Sequence, residues 1–223
     1  ITISICTVLI TTQLQTQDSI SVLVNNSGPY IGTAIPHDYG FDGSGIIISV
    51  IDTGVDFNHP DLLGLGLDGK IIGGYDFVDN DETPQDSNGH GTQVAGIIAA
   101  NGNLTGIAPN SKILAYRVSE DGESVSSNLI IKAIEKSISD NADIINISLG
   151  INQTNTKIDQ IVTKAIQNNI FVVTAAGNFG PEPNTIGSPG LNPNAITVGS
   201  TFNNVSSSLV STFKIEDQQF NIF

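Results

Sequence analysis

The sequence predicts an α/β protein built on a mostly parallel β-sheet. Short apolar runs typical of buried strands alternate along the chain with segments whose apolar residues recur at helical spacing. Helical segments of roughly 10–15 residues between strands indicate βαβ units, and therefore parallel strand pairing. The chain has 223 residues, 39% of them hydrophobic, which is enough to bury one sizeable core.

Six segments have the pattern of strands. The first reads IIISVI, a short apolar run that indicates a strand buried on both faces. The second reads KIIGGYDF and is weakened by two glycines. The fourth segment, ADIINISLG, ends in a turn. In chain order the strand segments cover residues 46–51, 70–77, 112–118, 142–150, 170–177 and 195–199.

Three segments between these strands predict helices. Residues 91–100, GTQVAGIIAA, combine small and apolar side chains as a buried helix does. The other two are amphipathic, with one apolar face each. The first apolar face consists of Val125, Leu129, Ala133, Ile134 and Ile138, and the second of Ile158, Ile161, Val162, Ala165 and Ile166.

Composition excludes several classes of function. The chain has 22 acidic and 8 basic residues and a formal charge of −14, which argues against nucleic acid and anionic membrane surfaces as partners. It contains no apolar stretch of the roughly 18 residues that a membrane span needs. Its single cysteine, Cys6, excludes an internal disulfide.

Polar residues follow three different strand segments, where parallel sheets bind their ligands. Asp52 ends the first strand run, and Ser148 and Asn178 follow two later ones. A buried carboxylate is costly unless it is bonded or paired, so Asp52 either caps the DTG turn or belongs to a site. His90, between two glycines in SNGHGTQVAG, is either a solvated loop residue or a site residue. Asn178 either caps a turn or donates to a developing negative charge.

Together these stretches resemble the subtilisin-like serine peptidase family. VIDTGVD with HPDL, then NGHGTQVAG, NISLG and AAGN, occur in the family's order from about Tyr39 to Ser200. The resemblance implies a three-layer α/β fold, a mostly parallel sheet with helices on both faces. It implies that Asp52 orients His90 and stabilises its cation, and that His90 carries a proton from a serine hydroxyl to the leaving amine. Asn178 would donate to the oxyanion.

The same resemblance implies a polypeptide substrate. Three residues match the strand edge that pairs with an extended substrate, and three match one wall of the pocket for the residue before the cut. The strand-edge residues are Ser148, Leu149 and Gly150, and the wall residues are Ala175, Ala176 and Gly177. An extracellular or cell-surface location is expected. The sequence indicates no oligomeric state.

The family's nucleophile is missing from the sequence. Its serine lies in a GTSMA-like motif, and no such motif occurs in these residues. Ser188 is followed by Pro189 and matches a family loop. The serines without the preceding Gly-Thr turn are Ser206, Ser207, Ser208 and Ser211. We therefore expect a partial catalytic domain that, as given, cannot hydrolyse peptides.

Three regions are predicted on this basis. Residues 1–38 form an N-terminal segment, and its opening stretch ITISICTVLITT is either the tail of a secretion signal or a strand of an upstream segment such as a pro-region. Residues 39–204 form the partial catalytic domain. Residues 205–223, VSSSLVSTFKIEDQQFNIF, depart from the usual continuation and are predicted to begin an inserted protease-associated domain.

Two further positions concern the polar support of the active-site helix and the presence of a cofactor. Gln93 stands where the family often has a second histidine. Asp61 in HPDL matches a calcium ligand of some members, but the loop ANGNLTGIAPN is shorter than the loop that carries their other ligands, and calcium needs six to eight oxygens. We therefore predict no cofactor and no metal.

Two other functions compete with a serine endopeptidase. A non-catalytic relative would keep the fold and groove as a pseudo-peptidase or peptide-binding module, and the residue at the serine position would distinguish it. A phosphatase with an aspartate nucleophile requires a second aspartate two residues after Asp52, where the chain has Gly54.

Overall fold

The computed structural model describes residue 28, residues 31–66, 68–180 and 182–199, and the backbone of residues 211–215 and 218–222. The helices are α1 (Ala34–Asp38), α2 (His90–Ala99), α3 (Ser127–Ser139) and α4 (Thr156–Gln167). The strands are β1 (Ile47–Asp52), β2 (Ile71–Asp76), β3 (Lys112–Arg117), β4 (Ile144–Ile147), β5 (Phe171–Ala175), β6 (Ile196–Val198), β7 (Ser211–Ile215) and β8 (Gln218–Ile222).

Strands β1 to β6 form one parallel sheet in the order β2-β3-β1-β4-β5-β6. Strand order reverses around β1, since β3 lies on one side of it and β4 on the other. In open α/β sheets such a reversal leaves a crevice at the carboxyl ends of the strands, where ligands bind. Asp52 ends the strand at this point.

Helices cover both faces of the sheet, so the protein has three layers, as the sequence predicted. On one face α2 packs on β1, β2 and β3 through a cluster that includes Val50, Val94 and Ile113. On the other, α3 and α4 pack on the sheet and on each other through a larger cluster that includes Ile134, Ile145 and Val162. The alternation of Val50 and Ile51 between the two clusters shows why β1 had to be apolar on both faces.

Each of the two helices in the larger cluster is followed, two residues after its end, by an asparagine in the left-handed conformation. Asn141 follows α3 with φ 57°, and Asn169 follows α4 with φ 61°. Asparagine tolerates this left-handed conformation better than most residues, so it ends a helix as glycine does. Helix α4 also begins on Asn155, whose side chain accepts the Lys157 and Ile158 N–H groups. Both ends of α4 are thus fixed by local sequence.

All six predicted strands and all three predicted helices are present within a few residues of their expected bounds. Helix α1 was not predicted, because AIPHD is too short to show a helical period. Asp52 is the last residue of β1 and does not lie beyond it, because it still pairs in register with Arg117. None of the helices in the described part of the chain has both the length and the apolar character that a membrane span requires.

The predicted boundaries at 38 and 205 stay predictions. Most of the N-terminal segment, residues 1–27 with Cys6, lies outside the described residues, as do Ser206, Ser207 and Ser208. In the region 205–223, β7 and β8 pair antiparallel, and β7 contacts β6.

A buried tyrosine joins β3 to the end of α3. The fully buried Tyr116 donates its hydroxyl to Asp140 Oδ2 at 2.6 Å, and Lys136 Nζ donates to the same oxygen at 2.7 Å. Burial and this carboxylate together raise the pKa of Tyr116. Burial alone would raise the pKa of Asp140, but the hydrogen bonds from Lys136 and Tyr116 outweigh it and hold that pKa below its usual value.

Stability should therefore depend on the ionisation of Asp140. A carboxyl whose pKa is lowered by folding stabilises the fold above its unfolded pKa of about 3.9, and this contribution disappears as the pH falls through the folded value. We expect Asp140→Asn to lower the free energy of unfolding by about 1 kcal/mol at pH 7, since the pair is partly exposed. Urea unfolding should show the difference from wild type shrinking below about pH 4. A constant difference down to pH 2 would contradict this account.

Candidate active site

Asp52 is a fully buried carboxylate at the carboxyl end of the sheet. Its Oδ1 accepts hydrogen bonds from His90 Nδ1 at 2.5 Å and from the Thr53 N–H at 2.7 Å. Its Oδ2 is buried and has no hydrogen-bond partner among the residues that the structure describes. An anion buried this deeply needs compensation, which the hydrogen bonds from the imidazole and from the Thr53 N–H supply.

The imidazole of His90 is held in one tautomer. His90 is the first residue of α2 and is 5% exposed. An ionised carboxylate only accepts hydrogen bonds, so the bond to Asp52 places a proton on Nδ1 and leaves the lone pair of the neutral ring on Nε2. The arrangement can therefore take up a proton at Nε2 while the carboxylate balances the resulting charge.

Two glycines explain how the helix reaches the strand end. Gly89, before His90, has φ 106°, a conformation that favours glycine. A Cβ built on Gly91 would lie 2.1 Å from the Gly54 carbonyl oxygen and 3.1 Å from Asp52 Oδ1. The glycines on either side of the histidine thus allow the first turn of α2 to press against the end of β1.

The structure adds residues that sequence reasoning missed. Thr53 Oγ1 accepts the Gly91 N–H at 2.9 Å and donates to Asp86 Oδ1 at 3.0 Å. The His90 N–H donates to Asn88 Oδ1 at 3.1 Å, and Asn88 Nδ2 donates to the Asp121 carbonyl at 3.0 Å. The signal for Asp86 and Asn88 was present in QDSNGHGT, where Asp and Asn precede a helix start.

The oxyanion candidate, Asn178, lies three residues after β5 and is exposed. Its strand is two places from β1 in the same parallel sheet, so it lies at the same carboxyl edge as Asp52. An exposed amide at this edge has the chemistry to donate to an anion.

The predicted substrate-binding segments share a common support. Ser148, Leu149 and Gly150 follow β4, and Ser148 Oγ accepts from Asn146 Nδ2 at 2.9 Å. A loop before β6 contacts both segments. Its Ser188 carbonyl accepts the N–H of Ile151, the residue directly after the first segment. Its Gly190 lies so close to the second segment that a Cβ there would touch the Ala175 carbonyl. Of the second segment, Ala175 ends β5 and Ala176 and Gly177 follow it.

Ser188 itself is a structural residue. It is 1% exposed, and its hydroxyl donates to Asp159 Oδ1 at 2.9 Å while accepting the Asn155 N–H at 2.8 Å. These bonds tie the loop to the start of α4. Ser188 therefore has no access to a substrate carbonyl, in agreement with its assignment to a family loop.

The other two histidines bond to the backbone. His37 Nε2 is 2.8 Å from the Ile107 carbonyl, and His59 Nδ1 accepts the Asp61 N–H at 3.2 Å. The Gln93 amide oxygen is buried without a hydrogen-bond partner among the described residues. This oxygen therefore makes no hydrogen bond within the described residues that would support α2 at the position where the family often has a second histidine.

The Asp61 carboxylate is bonded by the short loop that follows α2. Its Oδ1 accepts the Asn103 N–H at 2.8 Å and its Oδ2 the Leu104 N–H at 3.2 Å, and the Gly102 backbone lies against it. Each carboxylate oxygen thus accepts one N–H group from the short loop. In the described part of the chain, no group of three or more His, Cys, Asp or Glu residues could hold a metal ion.

Comparison with known proteins identifies the family. The family model described as the subtilase family matches residues 43–220. The chain belongs to the subtilase family. This confirms the resemblance inferred from the motifs around Asp52 and His90.

The relatives of this subtilase chain include an extracellular protease. It is 40% identical over 199 residues to the minor extracellular protease Vpr of Bacillus subtilis, covering 83% of this chain and 24% of that protein. It is 44% identical over 177 residues to thermitase of Thermoactinomyces vulgaris, covering 77% of this chain and 61% of thermitase. Its structure matches sphericase with a TM-score of 0.65 at 35% identity, covering 78% of this chain and 58% of sphericase.

The fold match confirms the predicted subtilisin-like three-layer architecture. The subtilase chain nevertheless spans between about a quarter and three fifths of the length of these relatives.

Proposed function

We propose that this chain is part of a serine endopeptidase in which Asp52 and His90 form two members of an Asp-His-Ser triad. The observation that carries the proposal is the 2.5 Å hydrogen bond between a fully buried carboxylate and a buried imidazole at the carboxyl edge of the sheet. Membership of the subtilase family supports it, since the relatives that share this fold include proteases. The nucleophilic serine comes from a segment that the 223 residues do not include.

The proposed mechanism follows from the tautomer. With Nδ1–H bonded to Asp52, His90 Nε2 removes the proton of the serine hydroxyl as its oxygen attacks the scissile carbonyl. The imidazolium then donates that proton to the leaving amine, and water repeats the cycle on the acyl-enzyme. Asp52 holds the ring and balances the positive charge throughout, without taking the proton itself.

Asn178 donates its side-chain N–H to the oxyanion of the tetrahedral intermediate. Its exposed position beyond β5 supports this role. The Ser148–Leu149–Gly150 segment pairs with an extended polypeptide, and Ala175, Ala176 and Gly177 line one wall of the pocket for the residue before the cut. No metal or cofactor takes part in these steps.

The substrate is a polypeptide, met outside the cell. The relatives support this location, since they include an extracellular protease.

A serine-directed fluorophosphonate probe tests the proposal. We expect the purified 223-residue chain to be unlabelled and inactive on a casein substrate, because no serine in it follows a Gly-Thr turn. The longer protein, expressed with the sequence that follows Phe223, should be labelled on one serine. His90→Ala should abolish that labelling, because the hydroxyl then has no base.

Two outcomes would contradict the proposal. Labelling of the 223-residue chain itself would show that a serine within it is the nucleophile. A longer protein that binds peptides but is never labelled would identify a non-catalytic, peptide-binding relative.

A further inference from the structure

One carboxylate, that of Asp86, accepts five hydrogen bonds next to Asp52 and His90, which are called the couple below. Its Oδ1 accepts the Asn88 N–H at 2.9 Å, the Gly89 N–H at 2.9 Å and the Thr53 hydroxyl at 3.0 Å. Its Oδ2 accepts the Thr92 N–H at 2.9 Å and the Thr92 hydroxyl at 2.5 Å. A carboxylate has about four lone-pair positions, so Asp86 is saturated with donors.

These donors come from both sides of the couple. Asn88, Gly89 and Thr92 belong to the turn and first helical turn that carry His90. Thr53 directly follows Asp52, and its own N–H donates to Asp52 Oδ1 at 2.7 Å. Asp86 therefore connects the strand end that carries the carboxylate to the helix start that carries the imidazole.

The two threonine hydroxyls have a fixed direction. Thr53 Oγ1 accepts the Gly91 N–H, and Thr92 Oγ1 accepts the Asp56 N–H, both at 2.9 Å. A hydroxyl has one proton, and a backbone N–H can only donate, so each threonine must direct its proton at Asp86. This direction requires an acceptor at both oxygens of residue 86, which an ionised carboxylate supplies and an amide does not.

A simpler interpretation is that Asp86 only caps α2. The residue before the helix is Gly89, which has no side chain, so Asp86 does take over the capping of Gly89 and Thr92 N–H groups. Capping does not require the bond to Thr53, however. That bond is what links the cap to Asp52.

We propose that Asp86 is a positioning residue that holds His90 against Asp52 by bonding Thr53 and the first turn of α2 to one carboxylate. The inference rests on the proposed function, since it concerns how the couple is held for catalysis. It requires that loss of either Asp86 or the Thr53 hydroxyl weakens the Asp52–His90 bond even in a folded protein.

The test uses the proton on His90 Nδ1. In a short bond to a carboxylate this proton gives a far-downfield ¹H NMR signal, which can be observed in the 223-residue chain without any catalysis. Asp86→Asn removes an acceptor from one of the two oxygens of residue 86. Thr53→Val removes the bridging hydroxyl, and with it the acceptor of the Gly91 N–H, while preserving the side-chain shape and the hydrogen bonds from Gly89 and Thr92 to Asp86. We expect both variants to lose the signal or shift it upfield, and Thr53→Ser to retain it.

Asp61→Asn is the matched control for general loss of stability. Asp61 also accepts two backbone N–H groups, but from a loop at the far end of α2. We expect it to lower the unfolding midpoint in urea and to keep the downfield signal. In the longer protein, Thr53→Val should lower kcat about 100-fold with KM unchanged, the size of loss that follows misplacement of a catalytic group by about 1 Å.

The possible outcomes are distinct. A downfield signal that survives in folded Thr53→Val would overturn the positioning role and leave Asp86 as a helix cap. Absence of the signal in the wild-type chain would overturn it too, because there would be no couple to position. A positive NMR result combined with a longer protein that no serine probe labels would refute the proposed function alone.

Discussion

Asp52→Asn is expected to lower kcat by about 10⁴-fold in the protein that carries this chain together with its nucleophile. The magnitude is the loss found when the orienting carboxylate of a serine-peptidase triad becomes an amide, and is carried over from such triads. The local geometry gives the reason. Asp52 Oδ1 accepts two hydrogen bonds, from His90 and from Thr53. An amide oxygen there carries no full charge to balance the imidazolium, and an amide nitrogen there would force the wrong histidine tautomer.

Steady-state hydrolysis of a chromogenic peptide measures this prediction. KM should not change, because Asp52 is fully buried and therefore inaccessible to a substrate. His59→Asn is a suitable control, since His59 accepts a backbone N–H that an asparagine oxygen can also accept. A loss of less than tenfold in Asp52→Asn, or an equal loss in the control, would show that the couple is not catalytic.

The strands and helices were predictable because their cause is local. A strand buried on both faces must be apolar at nearly every position, as in IIISVI, where Ser49 is the one polar residue. An amphipathic helix must repeat its apolar residues, as α3 and α4 do. Parallel strands also place their carboxyl ends at one edge. The convergence of Asp52, Ser148 and Asn178 on that edge therefore followed from the order of elements alone.

The residues that hold the site could not be predicted in the same way. Thr53 and Asp86 are 33 residues apart, and their bond depends on how the loop before α2 folds back onto the end of β1. Ser188 meets Asp159 and Asn155 for the same kind of reason. Hydrogen bonds of this type leave no periodic pattern, because each depends on the backbone conformation of a single loop.

A buried ion pair lies at the same edge of the sheet, and breaking it should lower the free energy of unfolding strongly. Arg117, at the end of β3, donates Nη1–H groups to Asp76 Oδ2 at 2.7 Å and to Asp79 Oδ2 at 2.6 Å. The side chains of Arg117 and Asp76 are 7% and 3% exposed, whereas that of Asp79 is 64% exposed. Burial alone would lower the pKa of Arg117, but the bonds to Asp76 and Asp79 outweigh it and raise that pKa.

We expect Asp76→Ala to lower the free energy of unfolding by about 3–5 kcal/mol, because it leaves a guanidinium buried beside a single, largely exposed partner. The substitution also removes the acceptor of the Val78 and Asp79 N–H groups. Urea unfolding of the 223-residue chain at pH 7 measures the loss. Asp79→Ala, which removes only the exposed partner, should cost less than about 1 kcal/mol.

The double variant Asp76→Ala/Arg117→Met separates the two sources of this loss. If most of it comes from the uncompensated cation, removing the arginine as well should restore a large part of the stability, since an apolar side chain in place of a buried charge is often neutral or stabilising. If most of it comes from the turn that Asp76 caps, the double variant will be no more stable than Asp76→Ala. Equal losses in Asp76→Ala and Asp79→Ala would contradict the buried ion pair as the source of stability at this edge.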